Sequence, residues 1–72
     1  MGSIQQSFGK RVRQLRLRKG WTQEVLAERT GRHWTYIGGI ERGERNVTLE
    51  VIGDIARALE VDICALFQKE RE

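Results

Sequence analysis

The sequence predicts an all-α fold, a compact bundle of five short helices. Three observations carry that reading. Apolar residues recur at helical spacing along most of the chain. No segment alternates as a strand would. Proline is absent from all 72 residues, while 32% of them are charged. The length admits one domain, spanning 1–72. A domain of this size buries only ~60% of its unfolded surface, so its core is small.

Met1, Gly2 and Ser3 read as a loose start. Ile4, Phe8, Val12 and Leu15 then fall on one helical face, and Gly20 ends that helix, which spans about 4–19. Thr22 is a good N-cap, and Glu24 sits where the helix dipole favours an acid. Val25, Leu26 and Arg29 continue this second helix to about 29, where Gly31 breaks it. A third begins near His33 and runs through Ile37 and Ile40 to about Glu41.

Arg42 to Asn46 is polar and contains Gly43, so it is a loop. Thr48 caps the next helix, whose stripe is Val51, Ile52, Ile55, Ala56 and Leu59. Asp62 caps a last short helix with Ile63, Leu66 and Phe67 inward. The tail from Gln68 to Glu72 is charged and expected to fray.

The net charge of +3 is unevenly spread. Residues 1–32 carry eight basic and two acidic side chains, whereas residues 33–72 carry five and eight. Such asymmetry marks a face for a polyanion set apart from another face. The run from Lys10 to Lys19 also reads simply as a solvated helix surface. Its helix commits its apolar side to the core, so little remains for lipid. No run approaches ~20 apolar residues, so no bilayer span is expected. One cysteine, Cys64, and one histidine, His33, are too few for a zinc site, and no metal or cofactor is expected. Cys64 reads as a small core or interface residue. No nucleophile has a base at plausible spacing, which argues against an enzyme.

The informative stretch is Gln23 to Glu41. Two short helices are joined by Thr30-Gly31-Arg32-His33. Ala27 lies where the helices approach closely, and Gly31 lies where the turn needs a positive φ. Leu26, Ile37 and Ile40 fix the crossing. This is a helix-turn-helix, whose second helix can enter the ~12 Å major groove of DNA.

Thr22-Gln23-Glu24-x-Leu26-Ala27, then Gly31, then Tyr36-Ile37-x-x-Ile40-Glu41-Arg42-Gly43 resembles the phage-repressor-like helix-turn-helix family (Cro/CI type, XRE), with a lambda-repressor-like fold. The resemblance covers nearly the whole chain. Within the family, Tyr36 to Asn46 is most similar to the controller proteins of restriction–modification systems.

The resemblance implies roles position by position. Trp34, Thr35, Gly38 and Gly39 match base-facing positions of the recognition helix. Thr22, Gln23, Tyr36, Arg42, Arg45 and Asn46 match contacts to the DNA backbone. Arg16 and Glu41 match a partly buried ion pair. Four departures stand out. His33 stands where a Ser, Thr or Asp cap is usual. Arg32 replaces a usual apolar residue and is expected to swing out to phosphate. Trp34 stands where a polar or basic reader is common, which favours contact with thymine methyls. Glu60 stands where glycine is common.

Some residues stay open to two readings. Trp34 is either a DNA contact or a cover for the core edge. Gly38 and Gly39, placed on the outward side, either admit DNA closely or pack against another helix. Trp21 reads as packing and His33 as a helix start. Ile55, Leu59, Ile63 and Phe67 exceed what a five-helix core needs, so they are candidates for a homodimer interface.

The expected function is that of a sequence-specific, DNA-binding transcription regulator. It would act as a homodimer on a pseudo-palindromic operator, in the cytoplasm at the nucleoid. The competing reading is an antitoxin or adaptor that kept the fold and binds protein instead. No small-molecule ligand is implied.

Overall fold

The computed structural model describes residues 3–68. The expected loose start at Met1 and Gly2, and the expected fraying of 69–72, lie outside them. Four α-helices follow in order: α1 (Ile4–Arg18), α2 (Gln23–Thr30), α3 (Trp34–Glu41) and α4 (Leu49–Leu59). A short 3-10 helix, Ile63–Phe67, closes the bundle. The five elements fall where the sequence places them.

Each start is set by a side chain. Ser3 is no loose end: it forms a reciprocal capping box with Gln6, each side chain bonding the other's backbone N–H at 3.1 Å. Thr22 and Thr48 accept from the N–H groups of Val25 and Val51, both at 3.2 Å. Asp62 makes no such bond to the 3-10 helix, contrary to expectation. The ends of α2 and α4 both turn left-handed, at Gly31 (φ 68°) and Glu60 (φ 61°). Glu60 therefore takes a conformation that glycine adopts without steric cost.

The core gathers Phe8, Val12 and Leu15 of α1, Leu26 and Ala27 of α2, and Ile37 and Ile40 of α3. Val51, Ile52, Ile55, Ala56 and Leu59 of α4 complete it with Leu66. α3 lies between α1 and α2, and α4 packs on α2. α1 meets α3 so closely that a Cβ on Gly9 would fall within 2.2 Å of the Ile40 carbonyl oxygen. The 3-10 helix is tied to α1 by Arg11, whose Nε donates to the Ala65 carbonyl at 2.8 Å. The rings of Phe8 and Phe67 meet there at 5.3 Å.

Several expectations about burial fail. Ile55 and Leu59 are 0% and 1% exposed, so neither is available to a partner chain. The stripe of α4 is consumed by α2, the 3-10 helix and α1. Of the three residues expected inward in the 3-10 helix, Leu66 lies in the core, but Ile63 and Phe67 are about half exposed, because the short helix turns only Leu66 to the core. Cys64 is exposed for the same reason. Ile4 is also exposed, at the rim of a groove with Phe8, Val47 and Phe67. Among the described residues no helix is long and apolar enough to cross a membrane.

Candidate nucleic-acid interface

The turn between α2 and α3 is built by its own residues. Gly31 bends the chain left-handed and gives its N–H to the carbonyls of Ala27 and Glu28. Arg32 N–H returns to Ala27 at 2.9 Å, closing the turn. His33 starts α3 by accepting the Thr35 N–H on Nδ1 at 3.2 Å. That bond requires an unprotonated Nδ1, with any ring proton of the neutral imidazole on Nε2. The Thr35 hydroxyl is also 2.8 Å from Nδ1.

α3 presents its first turn outward. Trp34 and Thr35 are exposed, Tyr36 is half-buried, and Trp34 stacks on His33 with ring centroids 5.9 Å apart. Ile37 and Ile40 are 0% and 1% exposed and fix the other side of the helix. The exposure of Trp34 fits an outward contact and not a cover for the core edge. Trp21, by contrast, packs against the core, flanked by Lys19 and Arg29 at 5.2 and 4.6 Å from its ring.

Gly38 and Gly39 are not on the outward surface: both are buried. Side chains from neighbouring elements lie over them. A Cβ on Gly38 would meet Arg42 Nη1 at 3.1 Å and Gln23 Oε1 at 3.4 Å. A Cβ on Gly39 would meet Arg45 Cγ and Nε, both at 3.2 Å. The face is thus roofed by Gln23 from α2 and by Arg42 and Arg45 from the loop after α3.

These roofing residues are held. Gln23 Nε2 donates to Glu41 Oε1 at 3.1 Å. Glu41 is gripped by Arg16 through two bonds, of 2.7 and 2.9 Å. The expected pair is therefore present, and it supports Gln23 as well as joining α1 to α3. Arg45 lies over the Tyr36 ring at 5.3 Å. Arg42 pairs with Glu44 at 3.1 Å. Hydrogen bonding and charge attraction hold the Glu44 carboxyl below its ordinary pKa and raise that of Arg42. Asn46 Oδ1 accepts from Gln5 Nε2 at 3.4 Å, which braces the loop against α1.

Arg32 does not swing out. Its Nη2 donates to Asp54 Oδ2 at 2.7 Å, and Arg57 occupies the other Asp54 oxygen at 2.7 Å. The position faces α4, which offers a carboxylate where an apolar contact was expected. Asp54 was missed from sequence. Its spacing from Arg57 was legible as a helical pair, but its approach to Arg32 was not.

A profile of the helix-turn-helix domain matches residues 7–66. The chain belongs to the helix-turn-helix domain family. It is 50% identical over 60 residues to control protein C.BamHI of Bacillus amyloliquefaciens, covering 82% of this chain and 74% of that protein. It is 40% identical over 67 residues to control protein C.SmaI of Serratia marcescens, covering 93% and 80%. The crystal structure of the restriction-modification controller protein C.AhdI from Aeromonas hydrophila superposes with a TM-score of 0.85 at 46% identity, covering 88% of this chain and 96% of that one. The resemblance to controller proteins read from Tyr36 to Asn46 is borne out by these helix-turn-helix relatives.

Proposed function

We propose that this helix-turn-helix chain is a DNA-binding transcription regulator of a restriction–modification system, and that two copies read a pseudo-palindromic operator. One observation carries the reading beyond the family. The exposed first turn of α3 stands beside Gln23, Arg42 and Arg45, which lie together over Gly38 and Gly39. Trp34 and Thr35 then enter the major groove as base contacts, Trp34 through thymine methyls. Thr22, Gln23, Tyr36, Arg42, Arg45 and Asn46 serve the sugar–phosphate backbone.

Ile63 and Phe67 of the 3-10 helix, about half exposed, form the apolar surface where the two copies meet. Half-sites would lie ~34 Å apart, one turn of DNA. The setting is the cytoplasm, at the nucleoid.

The test is a selection from a randomised duplex pool. Anisotropy titrations at two salt concentrations follow, on the winner and on scrambled DNA. The expected winner is two-fold symmetric and bound ~10³ or more tighter than scrambled DNA. Equal, strongly salt-dependent binding to every duplex would leave only the electrostatic contribution and overturn the reading.

A further inference from the structure

Gly39 sits inside α3 without a backbone reason to be glycine. Its φ is not positive, whereas those of Gly20, Gly31 and Gly43 are. No backbone atom stands among its nearest neighbours, in contrast to Gly9, which meets two carbonyl oxygens. Alanine in its place would favour the helix. What an alanine methyl would meet is one side chain: Cγ and Nε of Arg45 at 3.2 Å and Cδ at 3.7 Å. Arg45 also lies over Tyr36, three residues earlier on the same helix face, at 5.3 Å. The loop backbone is fastened to the same spot, since Glu44 N–H donates to the Gly39 carbonyl at 2.9 Å.

We infer that Gly39 is a positioning residue: its bare Cα is the seat on which Arg45 lies, so that Arg45 and Tyr36 meet the operator as one pre-stacked unit. A methyl group at 39 fills the seat. At 3.2 Å Arg45 must give way by at least a few tenths of an ångström; because the crowded atoms belong to a flexible side chain, the fold absorbs the change and Arg45 shifts from its place over the ring. Arg45 then has to be ordered at the moment of binding, which costs affinity. The inference rests on the proposed DNA-binding role of Arg45.

The test uses Gly39→Ala, with Gly53→Ala as control. Gly53 lies inside α4 with nothing within 4 Å of an added Cβ, so its substitution carries the same helix-propensity gain and no displaced side chain. Operator affinity is measured for both, for Arg45→Ala and for the Gly39→Ala/Arg45→Ala double variant. Arg45 side-chain proton shifts are followed by NMR in free protein, where the Tyr36 ring current marks the stacked state.

The expected result is a higher Tm for Gly53→Ala and retained helical circular dichroism for Gly39→Ala. Affinity falls about two- to fivefold for Gly39→Ala alone, the size of one lost cation–π contact at an exposed site. The ring-current shift disappears with it, and Gly39→Ala adds nothing once Arg45 is gone. Full affinity in Gly39→Ala, or an equal loss in the Arg45→Ala background, overturns the seat. Unchanged affinity in Arg45→Ala overturns the underlying role of Arg45 instead.

Discussion

The guanidinium of Arg16 meets the carboxylate of Glu41 through two bonds, Nε to Oε2 at 2.7 Å and Nη2 to Oε1 at 2.9 Å. Its third nitrogen, Nη1, donates to the Trp21 carbonyl at 2.7 Å. Both side chains are nearly dry, 7% and 2% exposed. Removing one partner leaves a buried charge uncompensated. Arg16→Ala or Glu41→Ala is expected to cost about 3–5 kcal/mol. Urea unfolding checks this. A loss below ~1 kcal/mol would mean that the pair behaves as a surface ion pair.

Gly9→Ala should be among the most damaging small substitutions in the chain. The added methyl meets the backbone oxygens of Ile40 and Glu41, which cannot step aside as a side chain can. α1 must separate from α3, at a cost on the order of 1–3 kcal/mol or more. Thermal melts by circular dichroism would show it, and a Tm equal to wild type would refute the close crossing.

Glu60→Gly should stabilise. The left-handed φ of 61° strains a side chain and not glycine. The exposed pair with Lys19 at 2.9 Å is lost, which matters little. The net gain is about 0.5–1 kcal/mol after allowing for the freer unfolded chain. A fall in Tm would show that the Lys19 contact outweighs the backbone strain.

Acid should weaken the α2–α4 junction through Asp54. Hydrogen bonds from Arg32, then Arg57, with their charges, hold its carboxyl below the ordinary range. A depressed folded pKa gives stability that is complete above the unfolded value of about 4 and is lost as pH falls toward the folded one. Asp54→Asn should therefore flatten the part of the stability–pH curve that lies below about pH 4 while lowering stability at pH 7. An unchanged acid limb, measured by denaturant titration, would exclude Asp54 as its source.

Ile63→Asp and Phe67→Asp should shift the chain toward monomer in sedimentation at fixed concentration, with helical circular dichroism retained. Ile55→Asp should instead unfold the domain, because its side chain is wholly buried within one chain. Wild-type behaviour of both 3-10 variants would remove this surface from the proposed dimer.

The sequence by itself determined the helices and the turn. Those features rest on local chemistry: the caps Thr22, His33 and Thr48, the positive φ of Gly31, and the 3.6-residue stripes. The family was also legible, from residue types at fixed spacing, and the Arg16–Glu41 pair was legible only through that resemblance. The tertiary structure decided which exposed and buried roles those residues take. It turned Arg32 to Asp54 and drew Ile55 and Leu59 inside. It also covered Gly38 and Gly39 with side chains from α2 and from the loop after α3. These outcomes depend on contacts between residues distant in sequence, and no local pattern encodes which neighbour arrives. A glycine pair looks open along the helix that carries it; only packing shows what lies across it.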